Sequence, residues 1–227
     1  RGLVGSEMCI RDSLEGSNGD DTINGGDGED YAAYFNAAAG VMVDLSQGLA
    51  VDDGDGGSDV LIGIENLFGS LFDDSLLGDA NDNTFTGLDG DDLIDGGGGL
   101  DTVYYGNASS AVTVDLQNEI ASGGEGNDTL ISIELVDGSE FGDTILGDDD
   151  ASLLDGLGGN DTINGRGGTD WLLGSGGDDI LDGGTGIDTA VFDGPQSAFT
   201  LTLSPDRVTI TDRQSVGQDT DTLISIE

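Results

Sequence analysis

Histidine and lysine are absent from this 227-residue chain, and cysteine occurs once, as Cys9. Without histidine, the chain can form neither a Ser-His-Asp triad nor a histidine-ligated zinc site. Without lysine, it cannot contain the phosphate-binding motif GxxxxGK[ST], and a single cysteine excludes a framework of intrachain disulfides. Apolar runs of about 18 residues are also missing, so we predict no membrane span. The first residues lack the basic and apolar regions of a signal peptide.

Basic residues are few, because five Lys and Arg stand against 47 Asp and Glu and give a formal net charge of −42. Such a charge destabilises a compact state by self-repulsion, so we expect a neutralising partner. Nucleic acid and anionic membrane surfaces have the wrong sign, whereas cations have the right one. Aromatic residues make up 5 % of the chain, and glycine contributes 42 residues. Composition alone therefore leaves an acidic disordered chain as an alternative.

The first thirteen residues, RGLVGSEMCIRDS, share no pattern with the rest of the chain. They hold its single cysteine and two of its five basic residues. We interpret residues 1–13 as a non-native segment and exclude them from reasoning about the fold. We expect the native sequence to begin near Leu14 and to continue beyond Glu227.

A nine-residue frame that starts with glycine repeats through the remaining sequence. Its twelve starts are Gly16, Gly25, Gly69, Gly78, Gly87, Gly96, Gly138, Gly147, Gly156, Gly165, Gly174 and Gly183. The eighth position is apolar in every frame: Ile23, Ala32, Leu76, Phe85, Ile94, Val103, Ile145, Leu154, Ile163, Leu172, Leu181 and Ala190. The sixth position is aspartate in ten frames: Asp21, Asp30, Asp74, Asp92, Asp101, Asp143, Asp161, Asp170, Asp179 and Asp188. The exceptions are Asn83 and Ser152, and lone frames occur at Gly54 and Gly123.

A longer repeat of about 70 residues lies over this frame, since LIGIEN at Leu61 recurs as LISIEL at Leu130 and as LISIE at Leu223. Between such landmarks, residues 41–45 and 112–116 alternate in hydropathy and predict half-buried strands. Near the end of the chain, two further alternating segments, 199–203 and 208–211, predict a hairpin around a turn at 204–207. No stretch shows helical periodicity of useful length.

The composition of the frame suits a metal-binding loop followed by a short strand. Glycines allow positive φ at little steric cost, so a six-residue loop such as 156–161 can turn its carbonyl oxygens inward while the aspartate adds a carboxylate. Ca²⁺ takes about six to eight such oxygens, which one loop cannot supply and two stacked loops can. Each strand buries one side chain, so only stacked copies form a core. Two frames would make one coil, and folding should be coupled to metal binding.

Frames such as GGDGEDYAA, GLGGNDTIN, GSGGDDILD and GGTGIDTAV resemble the RTX nonapeptide GGxGxDxUx, the haemolysin-type calcium-binding repeat. The resemblance covers roughly residues 14–227 and includes the connectors. It implies an all-β fold of right-handed parallel β-roll units, a Ca²⁺-binding solenoid, joined by short antiparallel hairpins. It also implies a secreted, extracellular bacterial protein exported by type I secretion, since such modules occur in toxins, proteases, lipases and adhesins.

We therefore predict Ca²⁺ as the cofactor and the ten position-six aspartates as carboxylate ligands. Glycines at positions one and four of the most regular run, within residues 138–191, complete the predicted sites: Gly156, Gly159, Gly165, Gly168, Gly174, Gly177, Gly183 and Gly186. Four frames depart from the pattern. Two have Phe72 or Phe141 at position four, and the other two lack the position-six aspartate. We expect weak or empty sites in these four frames, which resemble specialised joints.

Three segments follow from the repeats: a first set of roll repeats with its connector over 14–104, a second over 105–191, and a hairpin with the start of a truncated third repeat over 192–227. We predict a non-enzymatic, monomeric module with a structural or adhesive role, no nucleic-acid partner, and a cell-surface or carbohydrate target left open. The alternative is the non-catalytic C-terminal tail of a secreted hydrolase, such as a protease or lipase. Acidic pairs are uninformative in so acidic a chain, and the missing helices disfavour an EF-hand.

Several aromatic residues recur at matching places in the long repeat. The adjacent pairs Tyr34-Phe35 and Tyr104-Tyr105 lie at matching repeat positions. This recurrence favours packing between roll and hairpin over stacking on a sugar. Trp171 occupies position seven, an outward strand position. We expect its side chain to be partly exposed.

Overall fold

The computed structural model describes residues 2–4, 13–16, 18–204, 207–212 and 219–226 of the chain. The helical segments among these residues are two short 3₁₀ turns, Leu116–Asn118 and Gln196–Ala198. All other regular structure in the described part of the chain is β, in short and mostly parallel strands. The predicted all-β class is confirmed.

The strands, numbered in chain order, are β1 (Gly2–Val4), β2 (Ser13–Glu15), β3 (Thr22–Asn24), β4 (Tyr31–Ala33), β5 (Met42–Asp44), β6 (Leu49–Asp52), β7 (Asp59–Ile62), β8 (Asn66–Phe68), β9 (Ser75–Leu77), β10 (Thr84–Thr86), β11 (Leu93–Asp95), β12 (Thr102–Tyr104), β13 (Val112–Asp115), β14 (Ile120–Gly123), β15 (Gly126–Ile131), β16 (Leu135–Asp137), β17 (Thr144–Leu146), β18 (Leu153–Asp155), β19 (Thr162–Asn164), β20 (Gly167–Gly168), β21 (Trp171–Leu173), β22 (Ile180–Asp182), β23 (Thr185–Gly186), β24 (Thr189–Ala190), β25 (Phe199–Ser204), β26 (Arg207–Asp212) and β27 (Thr220–Ile224).

The chain forms two compact units. The first unit comprises Arg1–Tyr104 and Glu125–Ile133, and the second comprises Tyr105–Gly124 and Glu134–Glu227. In the first unit, one sheet has the order β1-β3-β7-β6-β5-β9-β11-β15, and the other has the order β2-β4-β8-β10-β12. The pairs β5–β6 and β6–β7 are antiparallel, so the connector enters the sheet as a short meander between parallel strands.

The second unit repeats this arrangement. One sheet has the order β14-β13-β17-β19-β22-β27-β26-β25, and the other has the order β16-β18-β21-β24. Antiparallel pairs occur between β13 and β14 and between β25, β26 and β27. A two-residue ladder between β20 and β23 joins two of the glycine-rich loops.

Within the regular runs, paired residues on neighbouring parallel strands are 18 positions, or two frames, apart. Where a connector intervenes the offset is larger, as for Ile23 and Leu61. In the second unit, Thr144 pairs with Thr162, which pairs with Ile180. On the other sheet, Leu153 pairs with Trp171. Each coil within these runs therefore consists of two frames, as the periodicity predicts, and each unit is a parallel β-roll.

The position-eight side chains form the core. Eleven of them have no exposed surface: Ile23, Ala32, Leu76, Phe85, Ile94, Val103, Ile145, Leu154, Ile163, Leu172 and Leu181. Within the regular runs, the 18-residue offset places each one above its counterpart in the next coil, as Leu76 and Ile94 or Ile145 and Ile163 show. Full burial of one such aliphatic side chain contributes about 1.5–3 kcal/mol, so the core is a sum of small increments. Trp171 points outward and is 52 % exposed, which agrees with its predicted position.

The predicted strands and hairpin are present. Residues 41–45 and 112–116 contain β5 and β13, and β25 pairs with β26 in an antiparallel register from Phe199–Asp212 to Ser204–Arg207. The tip of this hairpin, residues 205–206, lies outside the described residues. At the other end of the chain, Gly2–Val4 pairs with β3 in parallel. Part of the segment that we set aside therefore takes a place in a sheet, and its non-native origin stays a prediction.

Candidate metal sites

Among the loops whose residues the structure describes in full, seven glycine-rich loops share one backbone conformation, in which the second and fourth residues have positive φ. The second-position residues have φ values from 62° to 99°: Gly26, Leu88, Gly97, Leu157, Arg166, Ser175 and Gly184. The fourth-position residues have φ values from 114° to 150°: Gly28, Gly90, Gly99, Gly159, Gly168, Gly177 and Gly186. We call these seven, which begin at Gly25, Gly87, Gly96, Gly156, Gly165, Gly174 and Gly183, the open loops. The second position tolerates leucine, arginine or serine in the left-handed region, whereas the larger φ at position four is accessible only to glycine.

Position nine of the preceding frame supports this turn. The side chain of Asp155 accepts the N–H of Leu157 at 2.9 Å, and the side chain of Asn164 accepts the N–H of Arg166 at 2.8 Å. Asp182 does the same for Gly184 at 3.1 Å. These local hydrogen bonds stabilise entry into the loop, and they explain why Asp or Asn ends these frames.

Loops 18 residues apart stack through their backbones. The N–H of Gly176, at position three, donates to the carbonyl oxygen of Leu157 at 2.8 Å, and Thr185 donates to Arg166 at 2.7 Å. A β-carbon on Gly177 would overlap the carbonyl oxygen of Gly159. Position-four carbonyl oxygens therefore lie between stacked loops, in the space where the sequence predicts oxygen ligands for a cation.

In the regular runs, one oxygen of the position-six carboxylate forms a hydrogen bond that joins neighbouring coils. Oδ1 of Asp161 accepts the backbone N–H of Asp143 at 2.8 Å, and Oδ1 of Asp179 accepts that of Asp161 at 2.8 Å. The same bond joins Asp188 to Asp170 at 3.0 Å on the other edge of the roll. The predicted stacking of acids that are 18 residues apart is therefore present, with a backbone amide between successive carboxylates.

In several open loops, the second oxygen of the position-six carboxylate lies beside the first glycine of its own loop and has no hydrogen-bond partner. This holds for Oδ2 of four residues in open loops that are at most 2 % exposed: Asp92, Asp161, Asp170 and Asp188. A β-carbon on Gly156 would overlap Oδ2 of Asp161, so glycine is required at position one to make room for the carboxylate. A buried anionic oxygen without a partner is costly, and a cation in the loop would remove that cost.

The pKa values of these carboxylates reflect the same cost of burying a charged group. Burial raises the pKa of Asp92 to about 8, and the neighbouring charges of Asp128 and Asp74 add to the effect. Burial likewise raises the pKa of Asp161 to about 7 and that of Asp170 to about 6. Asp179 reaches about 7 through burial together with the nearby carboxyl of Asp221. In the absence of metal, the folded loops disfavour their own charge.

In two of the deviant frames, a serine donates hydrogen bonds to the position-six carboxylate. In the loop that begins at Gly69, Oδ2 of Asp74 accepts the N–H of Ser70 at 2.5 Å, and Oδ1 accepts the Ser70 hydroxyl and the Val41 N–H, both at 2.7 Å. The Ser70 hydroxyl oxygen also accepts the N–H of Phe72. Burial still raises the pKa of Asp74, against these hydrogen bonds, which lower it.

The loop that begins at Gly138 uses the same arrangement. Asp143 accepts the N–H of Ser139 at 2.5 Å, the Ser139 hydroxyl at 2.8 Å and the N–H of Val112 at 2.8 Å. The two phenylalanine frames therefore recur as equivalent structures, each with a carboxylate whose two oxygens are both hydrogen-bonded within the chain.

The other two deviant frames replace the aspartate. Asn83 accepts the N–H of Asp79 at 2.8 Å and donates to the carbonyl oxygen of Glu65 at 2.7 Å. The loop that begins at Gly147 has Ser152 at this position, and its position-one carbonyl oxygen accepts a hydrogen bond from Arg166 at 2.8 Å. We call the loops at Gly69, Gly78, Gly138 and Gly147 the capped loops. Their second and fourth residues have no positive φ.

The positively charged side chain of Arg166 lies beside one capped loop. Its guanidinium binds Asp115 with two hydrogen bonds, of 2.7 and 2.9 Å, besides the bond to Gly147. These hydrogen bonds lower the pKa of Asp115 to about 2. The repeat pattern does not predict this contact, because the partners lie 51 residues apart in the chain.

Other acids take part in the same series of carboxylate–amide hydrogen bonds, although they lie outside the regular runs. Oδ1 of Asp128 accepts the N–H of Asp92 at 3.1 Å, and Oδ1 of Asp221 accepts that of Asp179 at 3.0 Å. Oδ1 of Asp59 accepts the N–H of the predicted ligand Asp21 at 2.9 Å. Asp59 and Asp128 occupy position six of the lone frames, which was a readable signal, whereas Asp221 follows no glycine run.

The remaining predicted carboxylate ligands are also buried. Asp30 is 1 % exposed, and its backbone N–H donates a hydrogen bond to the carboxylate of Glu65. Asp101 is fully buried and accepts the N–H of Asn83 at 2.8 Å. Among the described residues, no three acidic side chains converge closely enough to hold a metal ion. Any site in this region must therefore draw on backbone carbonyl oxygens as well as carboxylates.

The fold and these loops define a class of protein, a parallel β-roll whose stacked turns carry buried carboxylates. Residues 11–32, 68–103, 115–132, 137–172 and 155–190 match the family model of the RTX calcium-binding nonapeptide repeat. The matches cover more than half of the chain, so the chain belongs to this family. Its repeats bind calcium, which confirms the predicted cofactor. A search of curated proteins gave no match. The described residues contain no helix long and apolar enough to span a membrane.

Proposed function

We propose that this calcium-binding repeat region belongs to a secreted bacterial protein and folds outside the cell when it binds Ca²⁺, with a structural or adhesive role. The observation that supports this most is the set of buried, unpartnered Oδ2 atoms in the open loops, at Asp92, Asp161, Asp170 and Asp188. Burying an unpaired carboxylate costs several kcal/mol in practice. A fold that contains several of them needs cations to be stable.

The ligands would be the position-six carboxylates of the open loops: Asp30, Asp92, Asp101, Asp161, Asp170, Asp179 and Asp188. Carbonyl oxygens between stacked loops would complete the coordination, as at Gly159 and Gly168. Each Ca²⁺ would cancel two negative charges of a chain whose formal net charge is −42. In this proposal Asp74 and Asp143 serve the fold through their serine partners rather than as ligands.

Extracellular folding fits the affinity expected of such sites. Extracellular calcium modules bind with dissociation constants of about 10⁻⁴–10⁻³ M, which is far above the free Ca²⁺ concentration inside a cell. The chain would therefore stay largely unfolded before export and fold afterwards. Its role would be to provide a rigid module whose stability depends on the ion.

Far-UV circular dichroism during a Ca²⁺ titration, starting in chelator, tests the proposal. We expect little β signal in chelator and a cooperative gain as Ca²⁺ reaches the range given above. Mg²⁺ serves as the control, because it requires a smaller octahedral site and loses water reluctantly, so it should promote folding poorly. An unchanged spectrum across the titration, or equal midpoints for the two ions, would contradict the proposal.

A further inference from the structure

Among the residues whose side chains the structure describes, Arg166 is the only basic one. It occupies the second position of the open loop at Gly165, with a φ of 67°. Its Nη1 donates to Oδ1 of Asp115 at 2.7 Å and to the carbonyl oxygen of Gly147 at 2.8 Å, while Nη2 donates to Oδ2 of Asp115 at 2.9 Å. One guanidinium therefore joins three parts of the second unit: the end of β13, a capped loop and an open loop.

The acceptors of this guanidinium are a carboxylate and a backbone carbonyl oxygen. These are the two kinds of oxygen that the open loops offer to a hard cation, and a guanidinium also matches a carboxylate through two parallel hydrogen bonds. The capped loop at Gly147 has Ser152 in place of the position-six aspartate. Arg166 thus brings a positive charge to a coil whose own loop has lost that carboxylate.

The ion pair is partly shielded from water. The side chain of Arg166 is 24 % exposed and that of Asp115 is 14 % exposed. Fully exposed ion pairs contribute little to stability, whereas a bidentate pair that is partly buried is stronger and less screened by salt. The hydrogen bond to Asp115 raises the pKa of Arg166, and the charges of Asp148 and Asp149 add to this effect. The guanidinium therefore stays charged in this acidic surrounding.

Asp115 passes the contact on to the connector hairpin. It ends β13, which pairs with β14 in an antiparallel register and with β17 in parallel. Its carboxylate also accepts the N–H of Asn118 at 3.1 Å and the Asn118 side-chain amide at 2.8 Å, at the 3₁₀ turn that follows β13. Arg166 therefore holds the whole β13–β14 connector in place against the coil that begins at Gly147.

The first unit has a different arrangement at the equivalent places, which are Asp44 and Gly97. Oδ1 of Asp44 accepts the Ser46 hydroxyl at 2.6 Å and the N–H of Gln47 at 3.1 Å, so these partners are local in sequence. A β-carbon on Gly97 would lie 2.4 Å from the carbonyl oxygen of Asp79, which leaves no room for a side chain. In the described part of the first unit, connector and coil are joined without a side-chain cation.

We propose that Arg166 is a positioning residue that acts in place of a metal ion. It holds the connector hairpin on the coil at Gly147, so this part of the second unit becomes ordered at Ca²⁺ concentrations too low to order the first unit. The inference rests on the proposed Ca²⁺-dependent folding. Because order in a solenoid spreads between neighbouring coils, the open loops that follow Gly147 would then fold on this coil as they bind ions.

Hydrogen exchange of the full chain, followed by mass spectrometry across a Ca²⁺ titration, tests this order of folding. Segments 112–120 and 144–155 should become protected at a lower Ca²⁺ concentration than their counterparts 41–49 and 75–86. In Arg166→Leu, the midpoint for the second-unit segments should rise about tenfold, as expected for lost hydrogen bonds to a charged group. Leucine suits the backbone, since Leu157 has a φ of 63° at the same position of the preceding open loop on this chain.

Two further variants separate the hydrogen bonds of Arg166 from its charge. Gln117→Glu changes the net charge by the same amount at an exposed residue of the same connector, and it should keep the parent order of folding. Arg166→Lys keeps the charge but cannot bind Asp115 through two parallel hydrogen bonds, so it should restore part of the early protection.

Saturating Ca²⁺ distinguishes replacement of a metal from a purely structural contact. There Arg166→Leu should be protected like the parent, because bound ions then hold the coils together. An equal loss of protection at low and at saturating Ca²⁺ would overturn the inference. Simultaneous protection of both units in the parent, or an unchanged order in Arg166→Leu, would also overturn it while leaving Ca²⁺-dependent folding intact. A parent chain that is equally protected with and without Ca²⁺ would overturn the proposed function as well.

Discussion

The open loops and the capped loops occupy equivalent places in the coils, but they satisfy the position-six side chain in different ways. In the open loop at Gly156, Oδ2 of Asp161 is buried without a partner. In the capped loop at Gly138, both oxygens of Asp143 accept hydrogen bonds, from Ser139 and Val112. The first arrangement requires a cation for full stability, whereas the second is complete within the chain.

The order of capped and open loops along the chain suggests what the capped loops do for the fold. Capped loops at Gly69 and Gly78 precede open loops at Gly87 and Gly96, and capped loops at Gly138 and Gly147 precede four open loops. Each long run thus begins with one coil that depends on serine, asparagine or arginine for its internal hydrogen bonds. In a solenoid, each coil packs only on its neighbours, so a metal-independent first coil offers a surface on which metal-dependent coils can add.

The largest effect should come from removing a carboxylate of an open loop. We expect Asp161→Ala to raise the Ca²⁺ midpoint of folding at least about tenfold, because ligand charge sets affinity in such sites, and Asp179→Ala to act similarly. Ser152→Ala, in a capped loop, should stay close to the parent. Emission of Trp171, which is half exposed beside these frames, reports the transition, and similar midpoints for all variants would remove the distinction between the loops.

A second prediction concerns the glycines of one open loop. A β-carbon on Gly174 would overlap Oδ2 of Asp179, whereas one on Gly176 would meet nothing nearer than the Leu157 carbonyl oxygen at 3.7 Å. We expect Gly174→Ala to cost about 1–3 kcal/mol, as overpacking does, and Gly176→Ala to change stability by less than about 0.5 kcal/mol. Thermal unfolding in saturating Ca²⁺ compares them, and equal losses would show that position one is not fixed by the carboxylate.

Much of this architecture could be read from the repeat, and some of it could not. Position eight predicts the core, because a strict nine-residue period leaves only one inward side chain per strand. Position six predicts the stacked carboxylates. The serine caps could not be read, since Ser139 and Asp143 meet only after the loop has turned. The Arg166–Asp115 pair could not be read either, because its partners lie 51 residues apart and meet only through the order of the strands.

A third prediction tests the caps directly. Ser139→Ala removes the hydroxyl that donates to Asp143 and accepts from the Phe141 N–H. We expect a loss of about 1–2 kcal/mol, as for other buried hydrogen-bond partners, with no change in the number of bound Ca²⁺ ions. Thermal unfolding and native mass spectrometry in saturating Ca²⁺ measure the two quantities. Loss of an ion would mean that the capped loop is itself a metal site.

The smallest effect that we expect is a partial replacement of Ca²⁺ by protons. Burial raises the pKa of Asp92 to about 8 and that of Asp161 to about 7, from an ordinary value of 3.8. A group whose pKa is higher in the folded state stabilises that state when it is protonated. This contribution is therefore complete below about pH 4 and is lost as the pH rises through about 7–8. In chelator, the β signal should be larger at about pH 5.5 than at pH 8.

Protonation of exposed carboxylates would also increase the β signal at low pH, because it lowers the net charge of the chain. Two pairs of variants distinguish this effect from protonation of the buried carboxylates. Asp92→Asn with Asp161→Asn removes two of the groups that titrate in this window, and the difference in β signal between the two pH values should shrink. Asp52→Asn with Asp27→Asn removes two exposed carboxylates and should leave that difference close to the parent value. If both pairs behave alike, the pH dependence belongs to the net charge of the chain, and the buried oxygens of the open loops do not control folding in the absence of metal.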